Sequence, residues 1–127
     1  MRARATTDTA KLTRTADALF QEIVCHENEC AYCGAPGVAG HHLVGRAHKG
    51  VRWSIINGLP LCTLCHNDVH SGHLDILDWL RVTDPERFWF VMSHQNAQPV
   101  QVKAFHIRET IEQLKAIKKS LDTIGSI

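Results

Sequence analysis

The chain has 127 residues, of which 44% are apolar and 21% are charged, values typical of one soluble globular domain with a modest core. No apolar run reaches about eighteen residues, so the sequence predicts no membrane-spanning helix. The net charge of +1 with neutral histidines neither requires nor excludes a polyanionic partner.

Five cysteines and nine histidines are an unusual content for so short a chain. The N-terminus lacks the continuous apolar core of a secretory signal, so we expect a reducing, cytoplasmic compartment. In such a compartment, metal ligation by cysteines is favoured over disulfide formation.

The first predicted element is a helix over residues 8–26, capped by Thr7 or Asp8. Its apolar residues recur at helical spacing: Leu12, Ala16, Leu19, Phe20, Ile23 and Val24.

Residues 30–72 predict a hairpin followed by a short helix. Strands are expected within 38–44 and 51–61, joined by the basic loop 45–50 between two glycines. A helix over 63–71 is expected to stop at Gly72.

The remaining segment, 74–124, predicts three helices. Two cover 74–82 and 87–94, and Asp84-Pro85 is a strong start signal for the second. Their aromatic residues are expected in the core rather than on nucleic acid, with Phe88, Trp89 and Val91 facing inward. A break at Gln98-Pro99 precedes an amphipathic helix over 100–123 with an apolar stripe: Ile107, Ile111, Leu114, Ile117 or Lys118, Leu121 and Ile124. This helix packs on the domain, forms a homodimer interface or lies along a nucleic-acid backbone, and the sequence leaves these alternatives open.

Four cysteines form two CxxC pairs, Cys30/Cys33 and Cys62/Cys65. Each pair brings two thiolates from one tight turn to the same ion, so two pairs complete a tetrahedral structural Zn²⁺ site. The alternative is four buried thiols without a metal. Cys25 is expected to be a buried small apolar residue rather than a fifth ligand.

Four histidines have the spacing of a second site. His66 and His70 lie one turn apart on one face of the predicted helix, which suits two imidazoles on one metal. His41 and His42 lie on a strand, where neighbouring side chains point to opposite faces. One is therefore expected to bind a metal while the other faces a groove. The alternative for each one is an ordinary surface imidazole.

The stretch from Cys30 to His70, with CAYC, HHLVGR and NGLPLCTLCHNDVH in that order, resembles the HNH, or ββα-metal, endonuclease family. Its spacing HH-x14-N-x8-H-x3-H is similar to that of colicin-type HNH DNases, and its cysteines resemble those of small phage and prophage HNH proteins. The resemblance covers about a third of the chain.

This resemblance implies an α+β fold within a single domain, 1–127. A small ββα-metal hairpin-helix core at 30–72, braced by the four-cysteine zinc site, would be flanked by the helices of 8–26 and 74–124. It also suggests a phage- or prophage-encoded protein in the cytoplasm of a bacterial host.

The resemblance further implies individual roles. His42 would be the general base, Asn57 would hold the hairpin and orient His42, and a catalytic divalent metal (Mg²⁺, Mn²⁺, Ni²⁺ or Zn²⁺) would bind three residues: His41, His66 and His70. Many family members have an acid where this chain has His41. An all-imidazole set is softer and makes Mg²⁺ a poorer activator.

Basic residues near the histidines suggest contacts with DNA. Arg46, in the loop after His42, is a candidate phosphate clamp, since a guanidinium can bind phosphate in bidentate fashion; a solvated loop arginine is the alternative. Lys49, Arg52 and Trp53 are candidate nucleic-acid contacts.

The sequence therefore favours a metal-dependent DNA endonuclease or nickase whose products, by family resemblance, carry 5′-phosphate and 3′-hydroxyl ends. A catalytically inactive, zinc-stabilised nucleic-acid-binding module is the first alternative. A structural zinc-finger protein that acts through protein contacts is the second.

Overall fold

The structure, a computed structural model, describes residues 2–98 and 100–125. Within these ranges it contains a two-stranded antiparallel sheet and five α-helices, which confirms the α+β class. The predicted break at Gln98-Pro99 lies partly outside the described residues, as do Met1, Ser126 and Ile127. The elements are α1 (Arg2–Val24), β1 (Val38–His42), β2 (Gly58–Cys62), α2 (Thr63–Ser71), α3 (Ile76–Thr83), α4 (Pro85–His94) and α5 (Ala104–Gly125).

Helix α1 begins earlier than predicted. Thr7 and Asp8 lie inside it, so the cap predicted there is wrong. The helix ends at Val24, and the chain then turns through Asn28, which adopts a positive φ of 49°. Its apolar face is buried as expected, since Ala16 and Phe20 are fully inaccessible to solvent.

The two strands of the hairpin pair in a register that places Val38 opposite Cys62 and His42 opposite Gly58. Gly40 lies opposite Pro60, which has no N–H to donate and is tolerated because β2 is an edge strand of the two-stranded sheet. The Pro60 carbonyl accepts a hydrogen bond from the Ala31 N–H (2.8 Å).

The second strand was expected within 51–61, and β2 begins only at Gly58, because the residues before it form turns and a 3-10 turn over Ile55–Asn57. The buried Asn57 side chain explains this difference. Its amide accepts a hydrogen bond from the Val44 N–H and donates to the carbonyls of Val44 and Val51. These bonds fold the loop back on itself, which an extended strand would not permit.

Helix α2 has the predicted bounds, Thr63–Ser71. Cys62 caps its start, since its Sγ accepts a hydrogen bond from the Cys65 N–H, and Gly72 ends it with a φ of 86° that favours glycine.

The predicted start of α4 is also confirmed. Asp84 caps it by accepting the Arg87 N–H, and Pro85 occupies the first turn. The placement of Trp89 in the core is wrong: this residue is 64% exposed. Successive helical residues are about 100° apart around the axis, so Trp89 cannot share the inner face that holds Val91 and the half-buried Phe88.

Helices α1 and α5 pack side by side and run parallel. Two contacts that follow one another along both helices show this direction: Leu19 shares a surface cleft with Lys115, and Glu22 pairs with Lys118 (3.3 Å). Three residues of the α5 stripe, Ile107, Ile111 and Leu114, are buried within the chain, which confirms internal packing for this part of the helix, whereas Ile117 is 39% exposed. The possible homodimer interface stays a prediction. Ile124 lies beyond this contact and is 68% exposed. Among the described residues, no helix is long and apolar enough to cross a membrane.

Two clusters of buried residues result. One joins α1, α5 and Trp53, and the other joins the cysteines, β2 and the α3–α4 pair. Gly58 allows α1 to approach the sheet, since an added Cβ would lie 2.5 Å from Val24 Cγ2 and 2.7 Å from Phe20 Cζ.

We therefore expect Gly58→Ala to destabilise the fold by about 1–3 kcal/mol, the usual range for overpacking. Urea-induced unfolding followed by circular dichroism measures this change. Gly45→Ala is the matched control, because no atom lies within 4 Å of its added Cβ, and it should change stability by less than about 1 kcal/mol. Equal stability of the two variants would contradict the close packing of α1 on β2.

Candidate metal centres and active site

The four cysteines of the CxxC pairs converge, with their sulfur atoms all within 4.8 Å of one another. Two come from the turn before β1, and the other two come from the end of β2 and the start of α2. Cys33 Sγ lies 3.6 Å from Cys62 Sγ, close to the separation of about 3.8 Å expected for two sulfurs at tetrahedral positions around Zn²⁺. The group can hold a structural metal ion.

The thiols of this cluster have pKa values shifted in opposite directions. Burial opposes ionisation of the Cys30 thiol, but hydrogen bonds from the backbone at Cys62, Cys33 and Tyr32 lower its pKa to about 6. Burial, followed by hydrogen bonds among the thiols, raises the pKa of Cys65.

Cys25 lies outside the cluster, as predicted. It is half-buried, and its thiol is 3.9 Å from Gln21 Oε1.

We expect Cys65→Ser to lose about one zinc ion per chain, because a tetrahedral structural site needs all four ligands. Since such a site contributes on the order of 10 kcal/mol to folding, the variant should also unfold at a much lower temperature. Zinc content after dialysis and thermal unfolding measure the two effects. Cys25→Ser is the matched control and should retain the zinc of the parent chain; an unchanged zinc content in Cys65→Ser would refute the site.

A second convergent group contains His41, His66 and His70, with one ring nitrogen from each within 4.8 Å of the others. His41 Nδ1 lies 3.1 Å from His66 Nε2. The rings of His66 and His70, one turn apart on α2, have centroids 4.7 Å apart.

Burial and neighbouring rings favour the neutral form of His41 and His66, the form that binds a metal. Burial, followed by the charges of His66 and His70, lowers the pKa of His41 to about 4. Burial, followed by the charge of His70, lowers the pKa of His66. A ligand group of three imidazoles fits zinc, nickel or cobalt better than magnesium.

His42 points away from this group and stacks on Phe20 of α1, with ring centroids 4.7 Å apart and planes at 14°. Its Nε2 is buried and has no hydrogen-bond partner among the described residues. Burial lowers the pKa of His42, and a hydrogen bond with the Arg52 backbone opposes that shift.

One surface cavity of about 380 Å³ is lined both by the three convergent histidines and by His42. Arg46 lies at its exposed rim. The lining residues are Gln21, Gly40, His41, His42, Gly45, Arg46, His66 and His70.

Asn57 differs in part from its predicted role. It holds the hairpin loop, but the hydrogen bonds described for its side chain reach Val44 and Val51 and none reaches His42. The contacts that orient His42 come from Phe20 and the Arg52 backbone instead.

The predicted nucleic-acid contacts of Arg52 and Trp53 conflict with the structure. Trp53 is only 7% exposed, and its indole N–H donates to Asp17, so the ring cannot stack on a base. Arg52 makes a bidentate ion pair with the same carboxylate. Lys49 is half-buried and lines a separate cleft against α5.

Sequence reasoning missed three α1 residues next to the site: Asp17, Phe20 and Gln21. They share one helix face at i, i+3 and i+4 spacing. That spacing can be read from the sequence, but the sequence does not show which element this face of α1 would pack against.

No protein-family model and no solved structure matches the chain. Over 74 residues the chain is 30% identical to a mitochondrial DNA mismatch repair protein, a mutS homolog from Sarcophyton glaucum. The match includes 54% of this chain and 8% of that protein. This chain therefore spans only a small part of that relative, and the HNH resemblance stays a prediction.

We expect His66→Ala to weaken binding of a second divalent ion, such as Ni²⁺, by at least about 100-fold. Mutation of a residue that only supports a metal ligand weakens binding by up to about 100-fold, and His66 would be a ligand itself. Isothermal titration calorimetry on the zinc-loaded chain measures this affinity. His73→Ala is the control, because His73 is exposed and bonds Ser71 outside the cluster. Equal affinity of the two variants would rule out a histidine-bound ion.

Proposed function

We propose that this protein is a metal-dependent endonuclease or nickase of the HNH type that hydrolyses DNA phosphodiester bonds. The proposal depends on one observation: four histidines and Arg46 line a single cavity, with three of the imidazoles at mutual metal-ligand distances. Metal-assisted hydrolysis needs at least a group that binds the metal and a nearby base, and the fourth imidazole can supply that base.

Each residue has a defined task in this proposal. His41, His66 and His70 would hold the catalytic ion, which supplies positive charge to the phosphate and the leaving 3′ oxygen. His42 would accept the proton of the attacking water at Nε2. Nε2 has no hydrogen-bond partner among the described residues, although it is buried and must become accessible to water for this step. Burial lowers the pKa of His42, which favours the neutral imidazole that a general base requires.

Arg46 would contact the substrate backbone. It is exposed at the rim of the cavity, so its guanidinium can reach a phosphate without first breaking an internal contact. The cysteine cluster would brace both elements that carry the ligands, because Cys30 and Cys33 precede β1 and Cys65 lies in α2.

DNA is proposed as the substrate for two reasons. The relative with 30% identity is named as a DNA mismatch repair protein, and the HNH motif resembles that of DNases. Phage or prophage origin in a bacterial host, which the motif suggested, has no support from the comparisons.

An inactive nucleic-acid-binding module remains the second candidate. The observation that favours it is the burial of His42 Nε2 against solvent, since a base that water cannot reach does not catalyse hydrolysis. The two candidates differ in whether any metal supports cleavage.

We expect the zinc-loaded chain to nick supercoiled plasmid in the presence of Mn²⁺, Ni²⁺ or Zn²⁺, and less efficiently with Mg²⁺. His42→Ala should slow nicking by about 100–10,000-fold, the usual contribution of a general base. Gel separation of supercoiled and open-circular DNA measures the rate.

His94→Ala is the control, because His94 bonds the Phe90 carbonyl in α4 and does not line the cavity. Nicking by His42→Ala at the parent rate would refute the role of this base. DNA binding without cleavage in any metal would establish the inactive module instead.

A further inference from the structure

Helix α1 lies outside the segment that resembles HNH nucleases, yet it contacts the site directly. Asp17, Phe20 and Gln21 project from one face of α1 toward β1 and the loop that follows it. Each of these side chains restrains a different part of the backbone or ring around His42.

Phe20 restrains the imidazole itself. Its ring is fully buried and lies nearly parallel to the His42 ring, at 14° and a centroid distance of 4.7 Å. A stacked neighbour held by the core limits the angles that the histidine ring can adopt.

Gln21 restrains the strand that carries His41 and His42. Its Oε1 accepts the Gly40 N–H (2.8 Å), and its Nε2 donates to the Gly40 carbonyl (3.1 Å). The carboxamide therefore occupies the free edge of β1 as a neighbouring strand would. The fit is close, since a Cβ on Gly40 would lie 3.1 Å from both Gln21 and Val24.

Asp17 restrains the segment behind the ring. Its carboxylate accepts Arg52 Nε (3.0 Å), Arg52 Nη2 (2.7 Å) and Trp53 Nε1 (2.8 Å). The Arg52 side chain is only 12% exposed, so solvent screens this bidentate pair weakly. The Arg52 backbone in turn bonds the His42 ring.

We propose that Asp17 is a positioning residue for His42, fixing the Arg52–Trp53 backbone so that the imidazole keeps its stacked orientation beside the cavity. The inference rests on the proposed nuclease function and adds to it that α1 is a required part of the active site. Its basis is a continuous chain of contacts from the Asp17 carboxylate through Arg52 to the ring, on the side opposite the cavity.

The test compares two carboxylate-to-carboxamide substitutions on the same helix. Asp17→Asn removes the charge and one acceptor of the network, whereas the control Glu22→Gln changes a carboxylate that pairs with Lys118 on α5. Both are assayed in zinc-loaded protein on a labelled DNA duplex, under single-turnover conditions. Asp17→Asn should lower the maximal rate about 10–100-fold, as for other residues that orient a reactive group. The half-saturating protein concentration should change less than about 3-fold, because Asp17 does not line the cavity.

A second readout does not depend on activity. Long-range ¹H–¹⁵N spectra report the tautomer and environment of the His42 ring. We expect Asp17→Asn to shift these signals and Glu22→Gln to leave them as in the parent. Should Asp17→Asn lose the zinc content or circular dichroism of the parent, Arg52→Lys tests the same link, since an ammonium keeps the charge without the bidentate geometry.

The outcomes separate the inference from the proposed function. A slow Asp17→Asn or Arg52→Lys enzyme with displaced His42 signals supports the inference. Parent-like rates and signals in the folded variants, with cleavage still lost in His42→Ala, overturn it and leave the nuclease proposal intact. A parent chain that cuts in no metal overturns both.

Discussion

The pairing register of β1 with β2 is the constraint on which the rest of the structure depends. With Val38 opposite Cys62 and His42 opposite Gly58, the two halves of the cysteine cluster meet at one end of the hairpin. At the other end, His41 faces the α2 histidines while His42 faces α1. Side chains alternate along a strand, so a slip of one residue would exchange the two histidines and separate the ligand group.

Two features secure this register in a chain whose cores are small. The cysteine cluster joins the turn before β1 to the junction of β2 and α2, and a metal ion there would resist any sliding of the strands. On the opposite side, α1 packs closely over Gly58 and covers the free edge of β1 through Gln21. The hairpin is therefore held from both sides, and the loop between its strands is held by Asn57.

Neighbouring histidines have different surroundings, which suit them to different chemistry. His41 has two imidazoles as neighbours, and burial with their charges lowers its pKa to about 4. His42 has an aromatic ring on one face and a backbone hydrogen bond, and it keeps one nitrogen unpaired. The described residues that line the cavity include the neutral Gln21 from α1 and no carboxylate that could compete for an ion or repel a phosphate.

The sequence by itself determined the local features. The CxxC pairs, the i, i+4 histidines, the helix α2 between Cys62 and Gly72 and the start of α4 at Asp84-Pro85 all follow from spacing or from backbone preferences within a few residues. Only the tertiary structure decided the rest. The length of the second strand depended on bonds from Asn57 to Val44 and Val51, the inward turn of Arg52 and Trp53 depended on Asp17, and the covering of α5 depended on α1. In the last two cases the partners lie 35 or more positions apart in the sequence, and the pattern around one residue carries no information about which distant partner it will meet.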